Sequence, residues 1–186
     1  MPALPQLSPH FTAADYLAWE AAQPERHEFV DGEVFAMAGA EDRHVTVCLN
    51  VAMALRQHLR GTPCRTFMAD MKVQAQADSS YFYPDVVVTC SAADADSRQI
   101  KREPRLIVEV LSPGTEAYDR GEKFARYRQI ASLTEYALVD LEHRRVDVFR
   151  KQPDGLWVLH PLDAQTPLTL TSVDVVIDID TLYAEI

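Results

Sequence analysis

The sequence predicts a mixed α/β domain, on three observations. Apolar, strongly β-branched runs at residues 83–90 and 105–111 have the composition of central strands, and residues 135–140 add a further strand. Between and before them, residues 42–59 and 119–130 carry side chains at helical spacing. Asp31-Gly32, Gly61 with Pro63, and Pro153-Asp154-Gly155 punctuate the two kinds of segment with turn chemistry.

Each element has its own reason. Thr12 followed by Asp15 matches a capping box and opens a helix to about Ala22, which Pro24 ends. Segments 26–30 and 33–37 alternate across Asp31-Gly32, the dipeptide suited to a turn with positive φ at both central positions, and predict a hairpin. From Asp42 to Leu59, the residues Val45, Leu49, Ala52, Leu55 and Leu59 recur at helical spacing and predict the longest helix, which Gly61 and Pro63 stop. Strands follow at Arg65–Gln76, Tyr83–Cys90 and Arg105–Leu111. Asp119–Ile130 predicts a helix with Asp119 as N-cap and Lys123 and Tyr127 on one face. Glu135–Asp140 is a further strand, and 145–150 with 156–160 form a second hairpin. The tail VDVVIDID reads as an edge strand or a short terminal element.

With 186 residues, 47% of them apolar, the chain fits one domain spanning residues 1–186. The N-terminus lacks a basic segment followed by an apolar core, and no long uninterrupted apolar stretch occurs, which predicts a soluble cytoplasmic protein with no membrane partner. Cys48, Cys64 and Cys90 are widely spaced and form no CxxC pair, so all three are expected to be reduced packing residues. A formal net charge of −10 argues against nonspecific attraction to phosphate backbones. Any nucleic-acid surface must be local.

One residue breaks the apolar pattern. Glu109 stands inside the run Leu106–Leu111, and a lone buried carboxylate costs several kcal/mol unless it is paired, hydrogen-bonded or bound to metal. Asp85 enters the preceding core strand after Pro84, giving a second carboxylate beside a buried run. Two carboxylates at neighbouring strand ends repel unless a cation lies between them, and oxygen ligands suit Mg²⁺ or Mn²⁺. The competing reading is a structural ion pair between Glu109 and a basic side chain.

At these residues the sequence resembles the PD-(D/E)XK nuclease superfamily, through Pro84-Asp85 and then Glu109 after a strand crossing. It is more closely similar to the Uma-type family of restriction-endonuclease-like proteins, in the ordered segments HEFVDGE, YPDVVV, IVEVLSPGTEAYDRGEKFARY and EYALVD, spread over residues 27–140. The resemblance implies a restriction-endonuclease-like central mixed sheet flanked by helices, with an N-terminal helix and hairpin added. It also implies Mg²⁺ or Mn²⁺ on Asp85 and Glu109, and hydrolysis of DNA phosphodiester bonds.

The superfamily lysine should stand two residues after Glu109, where this chain has Leu111. In the Uma-type pattern it is displaced to the following helix, and Lys123 matches it, with a solvated helix-face lysine paired with Asp119 at i,i+4 as the alternative; Lys72 is the other candidate, with a surface strand lysine as its alternative. Glu28 matches the family's acidic position before the Asp-Gly turn, as a third ligand or a base. His44 and Tyr127 are accessory candidates, each with packing as the alternative. A rim of Lys101, Arg102, Arg105, Lys123, Arg126 and Arg128 is the expected DNA contact, and a homodimer is compatible with the sequence. A nuclease-fold protein without strong catalysis, binding nucleic acid or protein, is the second functional reading.

Overall fold

The computed structural model describes residues 11–76 and 79–186. The reading of the N-terminus draws partly on residues 1–10, which lie outside them. Helix α1 (Ala13–Glu20) starts at the expected capping box: the Asp15 N–H donates to Thr12 Oγ1 and the Thr12 N–H to Asp15 Oδ2. Strands β1 (His27–Val30) and β2 (Glu33–Ala36) form the hairpin, with Asp31 and Gly32 at φ of 48° and 93°.

Helix α2 (Asp42–His58) follows, and of the residues at helical spacing Ala52, Leu55 and Leu59 are buried while Val45 and Leu49 are exposed. Val47, Cys48, Val51, Ala52 and Leu55 face the core, while Val45, Leu49 and Met53 share an exposed side. Two apolar stripes run along this helix. Cys48 and Ala52 lie on the one that packs against the sheet, and their small side chains let the helix sit close to it.

One expected strand is divided, and another, expected over residues 83–90, starts only at Val86, after an additional short strand. Residues 65–76 form β3 (Arg65–Met68) and β4 (Lys72–Gln76), separated at Ala69, whose φ is 56°. β5 (Ser80–Phe82) and β6 (Val86–Thr89) are separated by Tyr83-Pro84-Asp85, where Pro84 has no N–H for a ladder. β3 pairs with β6 and β4 with β5, so the chain crosses from one sheet to the other and back. The two crossings touch: the Ala69 N–H donates to the Asp85 carbonyl at 3.3 Å.

The chain continues through α3 (Ala92–Ala95), β7 (Ile100–Lys101) and β8 (Pro104–Leu111). Helix α4 (Glu116–Tyr118), a π-helical turn (Asp119–Lys123) and α5 (Phe124–Tyr127) come next. Asp119 is therefore inside a helical segment that begins at Glu116 and is not its N-cap. The wide π turn carries Asp119 and Lys123 inward together, and both are buried. Strands β9 (Glu135–Asp140), β10 (Arg145–Lys151) and β11 (Trp157–Leu162) complete the main sheet. The tail forms β12 (Leu168–Leu170), β13 (Val175–Ile177) and the short α6 (Ile179–Leu182).

The main sheet has the order β11-β10-β9-β8-β6-β3 and is mixed, with β8 and β9 parallel. A second sheet has the order β2-β1-β5-β4-β7, and β12-β13 stand as a pair. Along β8, Val108 and Val110 pack on the α2 side, whereas Ile107 and Leu111 pack on the other with Phe124, Tyr127, Tyr136 and Leu138. Burial on both faces explains the unbroken apolar runs. Glu109 shares the parity of Ile107 and Leu111.

The cysteines correct another expectation. Cys64 and Cys90 form a disulfide, and only Cys48 is free among the described residues. Arg65 and Thr89 are paired across β3 and β6, so Cys64 and Cys90 are the next facing positions.

Candidate functional site

The junction of the two sheets assembles the predicted residues. Val86 faces Val108 across β6 and β8, which puts Asp85 and Glu109 at the end of the same ladder. Each carboxylate is held by the opposite strand's backbone: Glu109 Oε2 accepts from the Asp85 N–H at 3.0 Å, and Asp85 Oδ2 from the Val110 N–H at 2.7 Å. Asp85 Oδ2 also lies 3.3 Å from His44 Nε2, so its carboxylate turns toward α2.

Glu109 turns the other way. Its Oε1 lies 3.0 Å from Lys123 Nζ and accepts from the Tyr127 hydroxyl at 3.1 Å. The same ammonium lies 3.1 Å from Glu28 Oε1 and 3.6 Å from Asp119 Oδ1. Glu28 Oε1 also accepts the Tyr83 N–H, at 3.3 Å. The structural ion pair weighed in the sequence reading thus exists, and it is a cluster: three carboxylates around one buried lysine, with Asp85 on the adjoining strand.

Burial sets the electrostatics. It pushes Glu109 well above the usual carboxylate range; Lys123 opposes the shift, while Asp85 and Asp119 reinforce it. Burial also raises Glu28 and Asp119. For Lys123 burial works downward, but Glu109 and Glu28 outweigh it, and the ammonium is held well above its ordinary value. His44 is lowered by burial, yet Asp85 carries it above its usual value overall. One lysine serves several buried carboxylates, so the cluster is short of positive charge.

Lys72 lies elsewhere. It is buried, not on a strand surface, with its ammonium over the rings of Tyr16 at 4.8 Å and Tyr83 at 5.4 Å. Its neighbour Val73 pairs with Phe82, whose ring lies 5.7 Å from Lys123 Nζ, so Lys72 points to the opposite face of the second sheet. The expected basic rim is also reduced. Lys101 is buried, with Nζ donating to the Asp94 and Ser97 carbonyls; Arg102 binds Gln74, Arg105 the Ser172 carbonyl, and Arg126 Asp31 and Ser80. Sequence reasoning paired Asp119 with Lys123 only as a solvated helix-face alternative, whereas the pair is buried, and it missed Cys48 as a neighbour of His44. For Cys48 the spacing of one helical turn from His44 was the available signal.

By donor type the oxygens of Asp85 and Glu109, in surroundings short of positive charge, suit a hard divalent cation, although the two carboxylates turn to opposite sides. Among the described residues, however, the three-residue group whose donor atoms already converge is His44, Cys48 and Asp85, within 4.8 Å of one another.

The mixed sheet flanked by helices is a restriction-endonuclease-like framework. The crystal structure of a "putative nuclease belonging to DUF820" from Anabaena variabilis ATCC 29413 shares the fold, at a TM-score of 0.76 and 15% identity, covering 94% of this chain and 98% of that one. Residues 13–179 match the Uma2 family model, described as "Putative restriction endonuclease", and the chain belongs to that family. Two relatives from Synechocystis sp. (strain ATCC 27184 / PCC 6803 / Kazusa) are uncharacterized proteins. The protein slr1290 is 38% identical over 179 residues, covering 96% of this chain and 92% of its own. The protein sll1609 is 35% identical over 153 residues, covering 81% and 86%.

Proposed function

We propose that this protein is a Mg²⁺- or Mn²⁺-dependent endonuclease that hydrolyses DNA phosphodiester bonds at the junction of the two sheets. The observation that carries the reading is the Lys123 ammonium held 3.0 Å from Glu109 and 3.1 Å from Glu28, with Asp85 tied to the same ladder end. A buried lysine shared by so many acids is costly as a mere structural device, and family membership gives the arrangement a use.

Asp85 and Glu109 are the residues that would hold the metal, which when bound supplies a water of lowered pKa and neutralises phosphate charge. Lys123 stays protonated, so its part is to offer N–H donors to the oxygen on which charge develops, not to accept a proton. Glu28, made more basic by burial, is the group suited to take a proton from the attacking water. Tyr127 fixes the Glu109 carboxylate through its hydroxyl. The chain's own charges contribute little to DNA attraction.

The test separates binding from rate. Lys123→Ala should retain Mn²⁺ binding and reduce cleavage of a mixed DNA panel by on the order of 100-fold or more, the scale for loss of one transition-state donor. Lys72→Ala, on the other face, should cleave as wild type. The reverse pattern would move the lysine role to Lys72. A second reading, a nuclease-fold binding module with weak or no catalysis, is favoured by the net charge of −10. It predicts a folded, metal-binding protein that cleaves nothing in the panel.

A further inference from the structure

On the α2 side of the junction lies a group that the hydrolytic chemistry leaves unused. His44 and Cys48 stand one turn apart on α2, and Cys48 is buried and outside the disulfide. Its Sγ lies 3.5 Å from His44 Nδ1. The other ring nitrogen, Nε2, is 2.9 Å from the Val110 carbonyl and 3.3 Å from Asp85 Oδ2. The Val110 carbonyl accepts, so Nε2 carries a proton, and in the neutral ring Nδ1 turns its lone pair toward the sulfur. An acceptor on the far N–H is the outer contact that orients metal-binding histidines.

The spacing suits a metal. Bonds of about 2.3 Å to sulfur and about 2.05 Å to nitrogen, meeting near the tetrahedral angle, set the two ligand atoms ~3.5 Å apart. That is the separation found. A thiol–imidazole hydrogen bond would account for this pair, but an Asp85 carboxylate oxygen also lies within 4.8 Å of the sulfur and of a His44 ring nitrogen, and a turn of that side chain from the Nε2 edge toward Nδ1 would complete the set. The Asp85 side chain is 23% exposed, which leaves room for a water as fourth ligand.

We propose that His44, Cys48 and Asp85 form a site for a borderline transition-metal ion of the Zn²⁺ class, and that this ion, by taking Asp85, excludes Mg²⁺ or Mn²⁺ from the catalytic position. The exclusion rests on the proposed nuclease reading; the site itself does not. Thiolate and imidazole select Zn²⁺ over the harder ions that carboxylates alone prefer. On binding, the Cys48 S–H bond is replaced by a sulfur–metal bond and the proton leaves to solvent. No oxidant or reductant takes part.

Co²⁺ added to the full chain, with the Cys64–Cys90 disulfide intact, is the probe. The expected result is a saturable near-ultraviolet sulfur-to-cobalt band that Zn²⁺ abolishes. Cys48→Ala should lose the band, His44→Gln should weaken Co²⁺ binding by at least about tenfold, and the Cys64→Ser/Cys90→Ser double variant should keep it. Circular dichroism and melting establish that each variant is folded. No band in folded wild type, or a band that survives in Cys48→Ala, overturns the site. Bound Mn²⁺, followed by its magnetic resonance signal, should be released by Zn²⁺ in the wild type, and at the same Zn²⁺ concentration retained in Cys48→Ala. Zn²⁺ that bleaches the cobalt band yet leaves Mn²⁺ in place overturns the exclusion. A cobalt band in a protein that binds no Mn²⁺ supports the site while removing the nuclease reading.

Discussion

Replacing Lys123 by Met removes the cation of the carboxylate cluster while keeping most of the aliphatic stem. Removing one partner of a buried ion pair typically costs ~3–5 kcal/mol, because the other charge is left unpaired. Here Glu109, Glu28 and Asp119, at 3.0, 3.1 and 3.6 Å, lose the same ammonium. We therefore expect a loss of about 4 kcal/mol at pH 8 in EDTA, near the middle of that range because Glu109 can escape by protonating. With a urea m-value of about 2 kcal/mol/M, the unfolding midpoint should fall by roughly 2 M.

The pH dependence has a definite sign. Glu109 has a folded pKa above its unfolded value, so the folded state binds the extra proton, and stability falls as pH rises from the ordinary carboxylate range through the folded pKa. Without the opposing lysine that window extends upward. The deficit of Lys123→Met should shrink on going from pH 8 to pH 5.5, and saturating Mn²⁺ should restore part of it at pH 8 by binding the native state. Urea melts at the two pH values, with and without Mn²⁺, measure this. A midpoint shift below about 0.5 M, or one that is equal at both pH values, would refute the shared-cation account.

Three further outcomes follow from the same geometry. Asp85→Asn should weaken the Mn²⁺-induced rise in melting temperature markedly, and an unchanged rise would place the ion elsewhere. Tyr127→Phe removes the hydroxyl that donates to Glu109 and should cost about 1–3 kcal/mol in urea melts, with Mn²⁺ present or absent. Reduction of the Cys64–Cys90 disulfide, which spans a sequence separation of 26, should lower stability by about 3 kcal/mol, and a reduced protein that melts as the oxidised one does would argue against the bond.

The parts of the fold that were legible are those where one local rule decides. The capping box at Thr12, the Asp31-Gly32 turn and the Glu135–Asp140 strand lie where the residues put them. The division at Ala69 was not legible, because the segment remains strand-like on both sides of the break and only tertiary pairing assigns the halves to different sheets; nor was the short strand Ser80–Phe82 before the expected start at Tyr83. The same holds for α2, whose two apolar stripes differ only in which one meets the sheet. In the site, Glu109 announced itself as a charge in an apolar run. Lys123 was reached by family resemblance, and its partners Glu28 and Asp119 came from elements whose burial the sequence pattern does not encode. The disulfide depended on a register that spacing alone does not supply.

The most direct test of the central claim is the nicking of supercoiled plasmid DNA by wild type and Glu109→Gln, purified side by side, with Mn²⁺ and with EDTA. The account predicts nicking by the wild type with Mn²⁺ alone, and none by a folded Glu109→Gln under either condition. A folded, Mn²⁺-binding wild type that leaves the plasmid intact, or equal nicking by Glu109→Gln, would contradict it.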